Sequence, residues 1–337
     1  MQRDRAEQLR GKAAMVVDAL RRTGRLEVSS PDVLAEGPAL GWRARVRLTV
    51  AEDGRTVGFL ARGTHEVVDI PRCLVATDAV NEGIEVLRAV AAEFGLAGIA
   101  SVELRSAPAG PAVVALVHPA PGETPNPRAV GLLKSQLPVS VGQGPAEGAR
   151  QRWPLPEGAW LEAAPSAFTQ VHDDANLALV RLVLGAVAEV DGTVVDACCG
   201  AGNFALPLAA QGRNVLAFDA SSAAVRDLAR AAEAQDLPVR AWVGDMGREL
   251  DRLAREKNPV GVVVLDPPRK GAKDALKALS RLAPSRVVYV ACDPVSLARD
   301  ARSLVDRGYA LGSVTCVDMF PQTHHVETVA VFDQRRK

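Results

Sequence analysis

A cysteine and a glutamate near the C-terminal end of the chain stand where chemistry could occur. Cys292 follows the apolar run 287–291, and Glu327 lies at the start of a second apolar run at 326–332. A thiolate can add to an electron-poor ring, and a carboxylate can later remove a proton from that ring. If both runs are strands of one sheet, the pair suits substitution at a ring carbon.

Each of these residues also has an ordinary structural interpretation. An isolated cysteine is more often a small buried hydrophobe, and a lone glutamate in an apolar strand is more often salt-bridged or exposed at an edge. Asp293 and Pro294 predict a helix directly after Cys292, and the N-terminal potential of such a helix can lower the pKa of a thiol. Only the combination with Glu327 favours catalysis. The other cysteines of this half are interpreted as buried hydrophobes: Cys198, Cys199 and Cys316.

A glycine-rich turn at 196–204 is typical of a loop that holds an adenosine cofactor. Gly200 and Gly202 allow a tight turn and a close approach of the cofactor to the backbone. Asp219, at the end of the next predicted strand, could hold a ribose. On this loop alone, S-adenosylmethionine, NAD and a purely structural turn all stay open. The cofactor candidates within the turn are Asp196, Gly200, Gly202, Asn203 and Phe204.

Two further residues are candidates for cofactor binding. Asp245 follows the third strand predicted in this region and could lie near the adenine or ribose, or could simply cap a helix. Gln170 precedes a predicted helix and could reach the cofactor, or could form hydrogen bonds within its own loop. The residue pattern leaves both alternatives open.

The segment Asp266-Pro-Pro-Arg269 leaves an apolar strand and enters a rigid turn. In open α/β folds, ligands bind at this carboxyl edge of the sheet. Amino-group methyltransferases that act on adenine or cytosine tend to carry an aromatic residue after the two prolines. Arg269 stands there instead, which favours a carbon target and makes Asp266 and Arg269 candidates for binding it.

Composition limits the class of protein. The 337 residues, 48% of them hydrophobic and 24% charged, predict two globular domains. The charged N-terminus and the lack of about 20 uninterrupted apolar residues predict a cytoplasmic protein with no membrane contact. Five cysteines without a C-x-x-C pair predict reduced thiols and neither zinc nor an iron–sulfur cluster. A net charge of zero means that any nucleic-acid site must be local.

The pattern of elements predicts an α/β protein with a domain boundary near residue 165. Residues 165–337 alternate strand and helix and end in two successive strands, as in the seven-stranded, doubly wound, Rossmann-like sheet of class I methyltransferases. Residues 1–164 predict a smaller α+β domain. Its first long strand places Arg43, Arg45 and Arg47 on one face, where they could contact phosphates or form a solvated edge.

Taken together, these motifs resemble the RNA uracil-5-methyltransferase family, which methylates C5 of specific uridines in tRNA or ribosomal RNA. The resemblance covers most of the chain and is densest after Phe168. Its two most specific motifs are Tyr289-Val-x-Cys292-x-Pro294-x-x-Leu297-Ala-Arg299-Asp300 and Asp318-Met-Phe-Pro321-x-Thr323-x-His325-Val-Glu327. Further matching segments are Phe168-Thr-Gln170-Val, the turn at 195–204, the segment at 266–271, and residues 43–47 and 67–73 of the N-terminal part.

The resemblance implies roles for individual residues. Cys292 looks like the nucleophile that adds to uracil C6, and Glu327 looks like the base that removes the C5 proton. S-adenosylmethionine is the implied cofactor, and RNA is the implied partner. The positions that match the cofactor or target pocket are Gln170, the Gly200 and Gly202 loop, Asp219 and Asp266.

The chain departs from the family pattern at several points. Many members have an N-terminal oligonucleotide-binding barrel and four cysteines that hold an iron–sulfur cluster, whereas we expect this chain to be a form without the barrel, with Cys73 as the one cysteine in that region. Asp293 replaces the frequent asparagine beside the nucleophile and should raise its pKa slightly unless it is turned away or paired. Asp219 replaces a longer glutamate. RNA affinity and the target uridine therefore stay open.

Two alternatives belong to other functional classes. The chain could be a non-catalytic RNA-binding or assembly protein that retains the fold, or an enzyme that uses the fold on DNA or a small aromatic molecule. Retention of both reactive residues argues against the first alternative. No contact to a 2′-hydroxyl can be identified, so the sequence does not separate RNA from DNA.

Overall fold

The chain folds into two compact units. The computed structural model describes residues 4–142, 150–257 and 259–335. The larger unit comprises Met1–Gly37, Pro154–Leu161 and Phe168–Lys337, and the smaller unit comprises Pro38–Trp153 and Glu162–Ala167. Of the loop predicted at 142–158, residues 143–149 lie outside the described residues.

The elements follow one another in chain order and are labelled accordingly. The first half contains α1 (Arg5–Arg22), β1 (Val33–Leu34), β2 (Arg45–Val50), β3 (Val57–Leu60), β4 (Val67–Asp69), α2 (Asp78–Phe94), β5 (Ile99–Ser106), β6 (Val113–Pro119), α3 (Pro127–Gln136), β7 (Val139–Val141), β8 (Gln151–Pro154) and β9 (Trp160–Ala163). The second half contains α4 (Asp173–Ala188), β10 (Thr193–Ala197), α5 (Ala205–Ala210), β11 (Val215–Asp219), α6 (Ser222–Ala234), β12 (Val239–Val243), α7 (Met246–Arg255), β13 (Val260–Leu265), α8 (Leu276–Leu282), β14 (Arg286–Ala291), α9 (Pro294–Asp306), β15 (Tyr309–Val317) and β16 (Glu327–Gln334).

The larger unit is built on a sheet of order β1-β15-β16-β14-β13-β10-β11-β12. Only β16 runs against its neighbours, and every other pair is parallel. The central strands β13 and β14 are almost fully buried, because helices cover both faces of a parallel sheet. This architecture confirms the predicted α/β class.

The sheet has eight strands where the sequence predicted seven. The additional strand, β1, lies at the sheet edge, where Val33 pairs with Cys316 and Leu34 pairs with Val317. Only two residues long, β1 sits in a loop without periodic hydrophobicity and is created by its pairing with β15. It carries no pattern that the sequence alone could show.

The N-terminal helix α1 belongs to the larger unit, although the sequence-based boundary grouped residues 1–164 together. Val16 and Leu20 of α1 are fully buried in the same apolar cluster as Leu297 and Leu304 of α9. Burial of this stripe and the pairing of β1 hold the first 37 residues to the larger sheet. Local periodicity predicted the helix itself but not the sheet against which it packs.

The smaller unit is a six-stranded sheet of order β4-β3-β2-β5-β6-β7 with two helices, α2 and α3. The predicted alternation is present in β2, because Val46 and Leu48 are buried in a cluster with Ile84 and Leu87 of α2. Within the described ranges of the chain, no helix is both long and apolar enough to cross a membrane.

Candidate active site

The carboxyl ends of the parallel strands bring three carboxylates of the larger unit together. Ala197 of β10 pairs with both Phe218 of β11 and Leu265 of β13. Asp219 and Asp266 each stand one residue beyond these pairs, while Asp196 stands one residue before Ala197. The three are close enough for the charges of Asp266 and Asp219 to raise the pKa of Asp196.

Cys292 and Glu327 meet because β14 and β16 run antiparallel. Ala291 pairs with Thr328 at the end of that ladder, and the same register carried one residue further sets Cys292 level with Glu327. Glu327 is only 3% exposed, whereas Cys292 is half-buried. The sequence predicted that both would lie at strand ends, and the reversed strand β16 places them side by side.

The surroundings of Cys292 raise the pKa of its thiol. Burial is the largest cause, followed by the charges of Glu327 and Asp266, while Arg269 lowers the pKa in part. The sequence left the direction open, because the start of α9 could lower the pKa and a neighbouring carboxylate could raise it. Burial and two carboxylates outweigh the favourable charge. Asp293 plays no part, since its side chain accepts the Ser296 N–H at 2.8 Å as the cap of α9.

The acidic groups around the thiol also have raised pKa values. Burial raises the pKa of Glu327 well above its usual range, and the charge of Asp266 adds to the effect. Burial likewise raises the pKa of Asp266, and it raises that of Asp196 to about 8. A carboxylate with a raised pKa is a stronger proton acceptor once ionised, which suits a base that takes a proton from carbon.

The glycine turn packs tightly on one side and is open on the other. Gly202 has φ +105°, and a Cβ there would lie 2.6 Å from Leu228 and 2.8 Å from Leu206. Gly200 has φ +52°, and no described atom would lie within 4 Å of a Cβ built on it. Gly202 is therefore required for packing, and Gly200 borders open space.

Asp219 and Asn203 support the backbone of this turn. Asp219 accepts hydrogen bonds from the N–H of Gly200 at 3.0 Å and from the N–H of Ser221 at 2.8 Å. The amide of Asn203 forms two reciprocal bonds with Asn176 of α4, at 2.8 and 2.9 Å. Phe204, which directly precedes α5, is only 2% exposed. Asn203 and Phe204 therefore position the turn, while Asp219 keeps lone pairs for a ligand.

The residues at this edge fit an adenosine cofactor. Asp196 is fully buried, and among the described residues neither of its oxygens has a well-aligned hydrogen-bond partner. The nearby backbone N–H of Ala205 offsets only part of the cost of that burial. A buried carboxylate in need of donors, in the strand that leads into the Gly200 turn, suits hydroxyl and ammonium groups.

The two remaining cofactor candidates lie in the larger unit with different surroundings. Asp245 is exposed and accepts the Arg248 N–H at 3.1 Å as the cap of α7, as its structural interpretation predicted. Gln170 is half-buried, shortly before α4.

Arg269, a candidate for binding the target, is exposed on the turn after β13, and its positive charge lowers the pKa of Cys292.

A buried network that sequence reasoning did not assign holds the 266–271 turn in place. Asp300 of α9, only 1% exposed, accepts hydrogen bonds from the Ala272 N–H at 2.7 Å and from the Tyr289 hydroxyl at 2.8 Å. Arg299 donates to the Lys270 carbonyl at 2.7 Å. These residues belong to the motif around Cys292, so their pattern was visible although their partners were not.

In the smaller unit, the predicted arginine face is only partly available. Arg47 is exposed and forms an ion pair with Glu103 at 3.0 Å, and Arg45 is half-buried. Arg43 is half-buried, with its Nε donating to the Arg45 carbonyl at 2.9 Å.

A fourth arginine lies opposite Arg45 on the neighbouring strand. Arg105 is buried, and its guanidinium donates at 2.6 Å to the carbonyls of both Pro165 and Ala167. Sequence reasoning did not single out Arg105.

The remaining cysteines do not form a metal site. Burial and nearby carboxylates raise the pKa of Cys198 and Cys199, and burial raises that of Cys316 to about 11. Cys73 is half-buried in the smaller unit. Across the described part of the chain, no three His, Cys, Asp or Glu side chains converge as metal ligands would.

Two family models match the region that holds these residues. A general methyltransferase-domain model covers residues 194–284, and a tRNA (uracil-5-)-methyltransferase model covers residues 245–336. The sheet order, the glycine turn and these matches define a class I methyltransferase that depends on S-adenosylmethionine.

Comparison with relatives identifies the family within this class of methyltransferases. The chain is 33% identical over 343 residues to the 23S rRNA (uracil(1939)-C(5))-methyltransferase of Pseudomonas putida, covering 97% of this chain and 75% of that protein. It is 33% identical over 354 residues to the enzyme of the same name from Thiobacillus denitrificans, covering 97% and 80%. The chain belongs to the RNA uracil-5-methyltransferase family.

A solved structure supports the fold. The tRNA (uracil-54, C5)-methyltransferase of Pyrococcus abyssi, crystallised with S-adenosyl-L-homocysteine, superposes with a TM-score of 0.74 at 24% sequence identity. The alignment covers 98% of this chain and 83% of that chain. The two proteins therefore share a fold.

Proposed function

We propose that this protein methylates C5 of uracil in RNA, with Cys292 as the nucleophile and Glu327 as the base. The register of β14 and β16, which sets these two residues level at one sheet edge, carries the proposal. The reaction needs both groups on one ring, because the nucleophile adds at C6 and the proton leaves from the adjacent C5. Family membership supports the same assignment.

The steps balance without an oxidant, and solvent takes the proton that the Cys292 thiol loses before it attacks. The Cys292 thiolate forms a bond to C6, and the electron pair of the C5–C6 double bond moves into an enolate. After C5 gains its methyl group, Glu327 removes the remaining C5 proton. The electrons of that C–H bond restore the double bond and expel Cys292 as a thiolate. The proton that Glu327 holds passes to solvent.

The cofactor residues act by binding and orientation. When bound, S-adenosylmethionine supplies an electrophilic methyl group. Asp196, Asp219 and the open side of Gly200 would hold the ribose and amino acid portions through hydrogen bonds. Gln170, Asp245 and Asp266 stay candidates at the same edge. Asp266 also faces the target ring in this proposal, since its charge acts on both Cys292 and Glu327.

Substrate binding uses local positive charge. We assign Arg47, and Arg45 beside it, to RNA phosphates, and we assign Arg269 to the target nucleotide near Cys292. Arg43 contributes less, because its Nε already donates to a backbone carbonyl. Ribosomal RNA is the favoured substrate, because the relatives of 33% identity that cover 97% of the chain are named as 23S rRNA enzymes. The cytoplasm, where that RNA is found, is the proposed location.

Tritium release from RNA labelled with [5-³H]uridine tests this function. We expect cofactor-dependent release from unmodified 23S rRNA, less release from total tRNA and none from uracil-containing DNA. The C292A variant should bind cofactor and release no tritium. An exposed-site control, R255A, should leave release unchanged. If C292A releases tritium at the normal rate, the mechanism is wrong, and if no RNA releases it despite cofactor binding, a non-catalytic RNA-binding role is favoured.

A further inference from the structure

A lysine of the N-terminal helix is buried against the segment that leads to the proposed base. Lys12 is 2% exposed, and its ammonium forms an ion pair with Asp318, which is 1% exposed. The same ammonium donates to the Phe320 carbonyl at 3.0 Å. Lysine is almost never fully buried unless it is paired, because desolvating its charge is costly. Burial of this lysine and aspartate therefore has a desolvation free-energy cost that a solvent-exposed lysine would not have.

Two more residues of α1 hold the same segment. Arg5 forms an ion pair with the other oxygen of Asp318 at 3.0 Å. Gln8 and Gln322 are joined twice, through their side-chain amides at 2.9 Å and from the Gln322 N–H to Gln8 at 3.1 Å. Successive turns of α1 thus place Arg5, Gln8 and Lys12 on one face against one short stretch of chain.

That stretch, residues 318–326, is the turn between β15 and Glu327. Its centre is the Phe320 carbonyl, which accepts bonds from Lys12, from the Thr323 N–H at 3.2 Å and from the Thr323 hydroxyl at 2.8 Å. Gln322 adopts a left-handed conformation, φ +65°, which a residue other than glycine adopts only when its surroundings hold it there. The contacts from α1 therefore hold the turn at this strained residue and next to it.

The N-terminal segment also holds the strand beneath the turn. The Asp318 N–H donates to the Leu34 carbonyl of β1 at 2.8 Å. Leu34 pairs with Val317, which in turn pairs with Glu327 across β15 and β16. Contacts from the first 34 residues thus reach Glu327 through the ladder on one side and through the turn on the other.

We propose that Lys12 is a positioning residue for Glu327 and sets the rate of proton removal from C5, an inference that rests on the proposed function. Without Lys12, the Asp318 carboxylate keeps a buried charge with one partner fewer, and the Phe320 carbonyl loses its donor from outside the turn. Both changes loosen the segment that ends at Glu327. A displacement of about 1 Å in a reacting group can cost about 100-fold in rate.

The effect should be selective for one step of the reaction. Cys292 is positioned by β14 and by the capped start of α9, and α1 shares an apolar cluster with α9 through Val16 and Leu20. The polar contacts of Lys12 are instead with Asp318 and Phe320. Loss of Lys12 should therefore spare formation of the methylated Cys292 adduct and slow its breakdown.

The test compares K12M with E327Q and C292A. Cofactor with a labelled methyl group reports the covalent protein–RNA adduct on denaturing gels. Tritium release reports proton removal from C5. We expect K12M to form the adduct within about threefold of the normal rate and to release tritium at least about tenfold more slowly. The adduct should therefore accumulate, as it should in E327Q. R10M, at an exposed position of α1, is the matched control and should not accumulate it.

The outcomes separate this inference from the proposed function. If E327Q accumulates no adduct, the proposed function itself fails. If E327Q accumulates adduct but K12M loses formation and release in equal proportion, or keeps both, Lys12 has a structural role only and the inference is overturned. A double variant, K12M with D318N, removes both charges of the buried Lys12–Asp318 pair and decides the matter if K12M alone does not fold, since it too should accumulate adduct.

Discussion

The Tyr289 hydroxyl donates a 2.8 Å hydrogen bond to Asp300, and both side chains bond the same backbone N–H, that of Ala272. Tyr289 is fully buried and Asp300 is 1% exposed. Tyr289 lies on β14, three residues before Cys292, and Ala272 closes the turn that begins at Asp266. The pair thus links the strand that leads to Cys292, the proposed nucleophile, to the turn that begins at Asp266.

Replacement of Asp300 by alanine should reduce both stability and turnover. Two buried donors would lose their acceptor, which should lower the free energy of unfolding by about 2–4 kcal/mol. The Y289F variant removes one donor and should lose about 1 kcal/mol. Urea unfolding measures both changes, and tritium release measures turnover. Equal stability losses in the two variants would contradict a central role for Asp300.

The reactivity of Cys292 should follow the charges around it. Its raised pKa predicts slow alkylation by iodoacetamide at neutral pH and a rate that increases through the alkaline range. The E327Q variant removes a negative charge, lowers the pKa and should speed alkylation about threefold to tenfold. The gain should grow with pH, because the Glu327 of the unaltered protein is itself protonated at lower pH.

Arg269 provides the control of opposite sign for this experiment. Its positive charge lowers the pKa of Cys292, so the R269A variant should alkylate more slowly than the unaltered protein at the same pH. Peptide mapping by mass spectrometry separates Cys292 from the other cysteines. Identical alkylation rates in E327Q and R269A would show that neither charge affects the pKa of the Cys292 thiol.

The two glycines of the cofactor turn should respond differently to alanine. G202A forces a methyl group against Leu228 and Leu206 and should lower the free energy of unfolding by about 1–3 kcal/mol. G200A meets open space, so its stability cost should be about 1 kcal/mol from the left-handed backbone alone. Its methyl group would project where the cofactor is proposed to bind and should weaken binding about tenfold.

Unfolding in urea and equilibrium dialysis with labelled cofactor distinguish the two glycine variants. The result that would contradict the assignment is a G200A protein that binds cofactor normally while G202A does not. In that case, the ligand would lie on the packed side of the turn.

Arg47 and Glu103 should have opposite effects on RNA affinity. The R47A variant removes a phosphate contact and should reduce the slope of log affinity against log salt by about 0.7–0.9. The E103Q variant frees Arg47 from its 3.0 Å ion pair and should strengthen binding. Filter binding over a range of salt concentrations measures both effects. Weaker binding by E103Q would assign the ion pair to support of the surface.

By itself, the sequence determined most of the local structure and the family to which the chain belongs, and it indicated which residues are candidates for the chemistry. Alternation along residues 43–50 and the apolar runs before Asp266 and Cys292 predicted strands, because burial selects side chains with the period of the element. The glycine turn and the residues Cys292 and Glu327 were visible because chemistry restricts residue type. The family resemblance rests on the same motifs.

Only the tertiary structure decided which distant residues act together. Lys12 and Asp318 are separated by 306 positions, and Tyr289, Asp300 and Ala272 meet through strand pairing and helix packing rather than through any local pattern. The sequence left the direction of the Cys292 pKa shift open, because the shift depends on burial and on the charges of Glu327 and Asp266. Periodicity shows which face of an element is buried. Charge interactions and strand partners depend instead on which residues, distant in sequence, the folded chain brings close together.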